Sequence, residues 1–208
     1  MKYFILPATA LLIFLFSCTK ERDLPPKYGT VVPVGADIAF GSLRINEFWV
    51  HGTSTAVTNM FGASATAKWF EIYNPTANDI NLNSGQWFLT DDLTSNQKYP
   101  VPTNSSGVTT LIPSKGFLLV FCPSSSKGTY GPATRINTSF SLSSSSGSIG
   151  IFYQKNSGAA TIPVDSLNYN FGVNGPPTDI SYGRFPDGDG SSSQKSLSSV
   201  TPEAANKD

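Results

Sequence analysis

The chain has 208 residues, with 14 Lys and Arg balanced by 14 Asp and Glu, one His and two Cys. That length fits one ordinary domain with a tail, and 39% hydrophobic and 12% aromatic residues supply a folded core and exclude global disorder. The even charge excludes the basic patch of a nucleic-acid binder. The single His51 excludes every mechanism or metal site that needs two.

Lys2 opens the chain, an apolar run follows from Tyr3 to Phe16 with Pro7 inside it, and Ser17 and Cys18 close it. A basic start, a short apolar stretch and a small residue predict a secretory signal over residues 1–17, since a membrane span needs about 20 apolar residues. Leu15-Phe16-Ser17-Cys18 resembles the lipobox of bacterial lipoproteins. The resemblance implies diacylglycerol on the Cys18 thiol, cleavage before Cys18 and acylation of the new amino terminus. Each buried methylene of such chains contributes about 0.8 kcal/mol, so two or three chains hold a protein on a membrane almost permanently. The alternative is an ordinary secreted protein in which Cys18 is incidental.

Residues 18–39 form the expected tether, carrying Pro25, Pro26, Gly29, Pro33 and Gly35 among mixed charges. Fully extended, residues 19–39 reach roughly 70 Å at about 3.3 Å each. The charges Lys20, Glu21, Arg22 and Asp23 resemble the acidic export tags of surface lipoproteins, interrupted here by Arg22.

From residue 40 to 208 short β-branched and aromatic runs recur between Gly, Pro, Asn and Ser clusters, which predicts a single all-β domain. The expected strands are Leu43–Val50, Lys68–Asn74, Asp79–Leu82, Gln86–Thr90, Lys98–Val101, Gly116–Cys122, Ser139–Leu142, Ser148–Gln154, Val164–Tyr169 and Ile180–Phe185. Alternation places Phe70 and Ile72 on one face of their strand, and Trp69, Glu71 and Tyr73 on the other. Ser143–Gly147 reads as a hairpin turn between Phe140–Leu142 and Ile149–Tyr153, and the Gly- and Ser-rich stretch Asp187–Ser199 as a mobile tail.

The ordered set of motifs is familiar. Leu43-Arg44-Ile45-Asn46-Glu47, Lys68–Pro75, Gln86–Asp91, Leu111–Val120, Phe140–Leu142, Val164–Leu167, Ser181–Gly188 and Thr201–Asn206 together resemble the lamin-tail domain over residues 43–206. The resemblance implies an immunoglobulin-like β-sandwich, found in nuclear lamins and in bacterial surface proteins, without shared catalytic residues. Two departures stand out: 51–67 is longer than the usual connection, and Glu203 replaces a more common Gly.

The chemistry-bearing residues have structural readings beside functional ones. Glu47, Glu71 and the pair Asp91-Asp92 are the only candidates for paired-carboxylate hydrolysis; ordinary strand-surface patterning is the alternative. Asp187-Gly188-Asp189-Gly190 has calcium-like spacing, but the twelfth position is Ser198 where an EF-hand needs Glu. Cys122 reads as a buried, inert strand residue rather than a nucleophile, and His51 as solvated. Trp87 suits the space between two sheets, or else a sugar-stacking platform. Trp49, Trp69 and Tyr73 are expected on outward faces, with Met60-Phe61 in the long loop, where aromatics serve protein or glycan contacts.

These readings converge on a non-enzymatic, membrane-anchored cell-envelope lipoprotein acting as a binding or adhesion module. Its expected location is the outer membrane, with display at the cell surface. Its partners are the membrane, through Cys18, and an unidentified protein or glycan; no cofactor, metal, catalytic residue or nucleic acid is expected. The alternative is a structural or accessory scaffold subunit of an envelope complex.

Overall fold

The computed structural model describes residues 36–52, 67–103, 107–123, 131–191 and 194–208. Every regular element among them is a strand: β1 Arg44–Trp49, β2 Lys68–Tyr73, β3 Ile80–Asn81, β4 Trp87–Thr90, β5 Tyr99–Pro100, β6 Leu111–Ile112, β7 Phe117–Cys122, β8 Ile136–Asn137, β9 Ser146–Gln154, β10 Thr161–Asn170, β11 Tyr182–Gly183 and β12 Lys195–Ser196. A six-stranded sheet has the order β12-β11-β1-β2-β7-β8, and a four-stranded sheet the order β10-β9-β4-β5; β3 and β6 pair separately. All pairs are antiparallel except β7 with β8.

The two larger sheets enclose one core, as in a β-sandwich. Phe48, Phe70, Ile72, Leu118 and Val120 come from the first sheet, and Trp87, Leu89, Ile149, Ile151 and Val164 from the second. Alternate residues of β1, β2, β4, β7 and β9 enter this core, while the residues between them on β1, β2 and β7 are buried on the other face. A second cluster lies on the opposite face of the six-stranded sheet, where Trp49, Trp69, Leu119 and Phe121 pack with Ala67 and Val200. That face is covered by the C-terminal strap, residues 197–206.

Several expectations change. Ser139–Leu142 is no strand, because side chains satisfy its backbone: the Phe140 carbonyl accepts from Thr138 Oγ1 and the Leu142 carbonyl from Lys68 Nζ. Ser146 and Gly147 belong to β9 rather than to a hairpin turn. A Cβ at Gly147 would lie 2.7 Å from the Tyr169 hydroxyl, which donates to the Ser143 carbonyl. The stretch expected as a mobile tail is anchored at both ends, through Asp187 and through the Leu197 amide on the Ser181 carbonyl. Within the expected tether, Ile38 packs into the core and the Ala36 carbonyl accepts from Tyr153.

Candidate functional site

Glu47 and Glu71 lie directly opposite one another across β1 and β2, on the face beneath the strap. Both are fully buried, which corrects their reading as strand-surface residues. A bulge in β1 between Ile45 and Glu47 turns Asn46 toward the same region. The strap supplies the donors: Thr201 N reaches Glu47 Oε1 at 3.0 Å, Thr201 Oγ1 lies 2.9 Å from Oε2, and Glu203 N donates to Glu71 Oε2. Asn46 Nδ2 donates to Glu71 Oε1 at 3.3 Å and to Asp187 Oδ1 at 2.9 Å. Burial raises the Glu47 carboxyl above its ordinary value of 4.5. It raises Glu71 well above, with the neighbouring Glu47 adding to the effect. The pair lies beneath the strap and accepts backbone hydrogen bonds from it.

The other expected carboxylates are placed elsewhere. Asp91 pairs with Lys98 at 2.6 Å at the end of β4, in the other sheet, and Asp92 accepts from Thr94. Asp187 accepts from Asn46 and from the Asn206 amide, while Asp189 accepts from Ser191. Among the described residues no group of three or more His, Cys, Asp or Glu could hold a metal ion.

The strongest electrostatic feature is one that sequence reasoning missed. Asp165, fully buried in β10, accepts from the Ile45 amide at 2.7 Å, from Arg184 Nη1 at 2.7 Å and Nη2 at 3.1 Å, and from Arg44 at 3.4 Å. Arg184 also donates to the Ile45 carbonyl. Together they join the four-stranded sheet to β1. Asp165 stands only in the motif Val164–Leu167, and nothing in its local pattern announces a partner 19 residues later.

Trp49 and Trp69 are buried at 1% and 0% exposure, so the expectation that they face outward is overturned; Tyr73 is half-buried against Phe117. Trp87 fills the space between the sheets against Tyr153, with ring centroids 4.8 Å apart. Cys122 is buried, and desolvation pushes its thiol up, away from the reactive thiolate. His51 is half-buried rather than fully solvated, and its Nδ1–H donates to the Pro176 carbonyl at 2.7 Å.

The two ends of the sandwich differ. At one end Ala36 and Asp37 meet Tyr153 and Lys155, at the close of β9. A shallow polar cavity of about 400 Å³ opens there beside Gln86, Gln154 and Lys155. These three side chains are already engaged, Gln86 with the Lys155 carbonyl and Tyr153, Gln154 with the Ala159 carbonyl, and Lys155 with Asp37, whereas the buried Ser84 hydroxyl in the lining has no partner among the described residues. At the other end Ser144 holds the Val50 carbonyl, the Asp179 amide holds the His51 carbonyl, and the rings of Phe48, Tyr169, Phe171 and Tyr182 stack in sequence. Val173 projects there at 96% exposure.

The signal segment 1–17, Cys18, the tether to residue 35 and Met60-Phe61 lie outside the described residues. Compared with protein-family models, curated proteins and solved structures, the chain matches none.

Proposed function

We propose that the protein is a non-enzymatic, lipid-anchored lipoprotein of the bacterial envelope, placed on the outer membrane and facing outward, whose domain presents a binding surface to a protein or glycan. The domain is, in this reading, an immunoglobulin-like sandwich of the lamin-tail type. The ordered motifs over 43–206 support that assignment. So does Glu203, which stands where the family commonly has Gly and adopts φ +57°, in the left-handed region that favours glycine.

The observation that carries the functional reading is the polarity of the domain. The chain arrives from the Cys18 side at Ala36, beside the end of β9, and 51–67 departs from the opposite end, beside its start. The length of β9, about 27 Å at roughly 3.4 Å per residue, separates the two. A lipid on Cys18 thus fixes one end, and 51–52 with 171–179 point away from it. The half-buried Phe171 and Tyr182 and the exposed Val173 give that far end the mixed aromatic and polar character of contact surfaces.

Two measurements test this. Bacteria expressing the full chain are fed labelled palmitate; label in the protein is expected, and Cys18→Ser is expected to lose it and to leave the membrane fraction. The full chain in detergent is then screened against glycan and extracellular-matrix arrays. A ligand lost with Val173→Asp but kept with Asn156→Ala supports the reading. Folded protein that binds nothing on the arrays, yet crosslinks in the envelope to one fixed partner, overturns it in favour of a scaffold subunit.

A further inference from the structure

The strap closes over two fully buried carboxylates, Glu47 and Glu71, that lie directly opposite one another. Thr201 has one hydroxyl proton, and its Oγ1 lies 2.9 Å from Glu47 Oε2 and 3.1 Å from Asn206 Oδ1. The Asn206 oxygen is an acceptor, because its Nδ2 donates to the carbonyls of Asn46 and Arg184 at 3.0 and 2.7 Å. Two acceptors therefore face the one Thr201 proton; the buried Ser181 hydroxyl also faces Glu47 and brings a neutral donor but no counter-charge. A proton on Glu47 resolves the conflict: Glu47 O–H donates to Thr201 Oγ1, and Thr201 donates to Asn206.

No counter-charge offers another resolution. The row across the sheet reads Gly183, Glu47, Glu71 and Leu119, with no cation in it. Arg184 is held by Asp165, and Arg135 by Glu203 through bonds of 2.7 and 2.8 Å. Lys195, in β12 just before the strap, pairs with Asp208. Asp187, behind Asn46, adds negative charge, and Tyr73 lies near it. Both carboxyls of the pair are accordingly raised by burial.

We propose that the strap is a proton-held flap, in which residues 197–206 close over Glu47 and Glu71 while the pair keeps a proton and lift from the sheet as that proton passes to water. Lifting hydrates both carboxylates, so the open form binds fewer protons than the closed one, and opening is favoured as pH rises. The lifted strap uncovers Trp49 and Trp69, whose cluster it seals through Val200.

Amide hydrogen exchange on the full chain in detergent tests this, with each rate divided by its intrinsic rate at that pH. The amides of Thr201 and Glu203 report the strap, and that of Leu119 in β7 reports the sheet. The expected opening constant of the strap rises by up to tenfold per pH unit, the slope of one released proton, while Leu119 stays protected. Glu47→Gln places an N–H donor where the proton sits and is expected to hold the strap closed and flatten the profile; Glu71→Gln is expected to reduce the slope. Arg135→Ala, which weakens the strap without touching the pair, is expected to raise opening equally at every pH. A strap whose corrected opening does not change with pH overturns the proposal. So does a slope unchanged in Glu47→Gln and Glu71→Gln, or strap amides that exchange only together with Leu119.

Discussion

Asp165 and Arg184 form a fully buried, doubly hydrogen-bonded ion pair, Nη1 to Oδ2 at 2.7 Å and Nη2 to Oδ1 at 3.1 Å, that bridges the two sheets of the sandwich. A buried pair of this kind loses much of its Coulomb gain to desolvation, but the loss of one partner strands the other charge away from water. Asp165→Ala is therefore expected to cost about 3–5 kcal/mol, read by urea unfolding of the full chain. A change below about 1 kcal/mol, the range of an exposed pair, would show that water reaches Arg184.

Trp69 is expected to behave as a core residue rather than as a contact. Trp69→Ala empties a site sealed by Trp49, Leu119 and Phe121, at a cost of about 3–5 kcal/mol. Thermal unfolding measures that loss. A stable Trp69→Ala protein that had lost only ligand binding would contradict the burial.

The Glu47–Glu71 pair sets a direction for stability against pH. Between the ordinary carboxyl value of 4.5 and the raised folded values, the folded chain holds more protons than the unfolded one. The pair's contribution is thus complete below 4.5 and is lost as pH rises through the folded values. Urea midpoints across that range are expected to fall with pH, and to fall less in Glu71→Gln. Midpoints that rise with pH equally in both proteins would refute the assignment.

Cys122 is expected to be silent in the native state. In a Cys18→Ser chain, which leaves Cys122 as the one thiol, a disulfide reagent should react slowly in native buffer and fully in denaturant, because burial both shields the sulfur and disfavours the thiolate. Fast native labelling would place the thiol at the surface.

Much of the fold is legible in the sequence where the signal is local. The alternation of Lys68–Tyr73 separates Phe70 and Ile72 from Trp69 and Glu71, and the structure keeps that separation. What alternation cannot say is what covers the second face. The cover here is a strap more than a hundred residues away, held by backbone amides on carboxylates rather than by an apolar pattern of its own. That is why Glu47, Glu71, Trp49 and Trp69 read as surface. Asp165 was invisible for the same reason, since its partners Ile45 and Arg184 are brought to it by sheet pairing. Thr201 and Asn206 lie in the last of the ordered motifs, and they fix the chain end through Glu47 and the carbonyls of Asn46 and Arg184.

The tether and the long 51–67 connection are the two continuations of a single strand, β1. Tension drawn between a membrane anchor and a ligand held at 51–52 would run through the covalent backbone of that strand, already extended from Arg44 to Trp49. The ladders to β2 and β11 would bear little of it. Before β1 took the load, slack in the described chain would come from the turn at Ala39–Ser42, closed by two hydrogen bonds between those residues and tied to β10 by the Gly41 amide on the Val164 carbonyl. A grip at 171–179 would instead pull β10 lengthwise against β9, loading at once every rung of the longest ladder among the described residues.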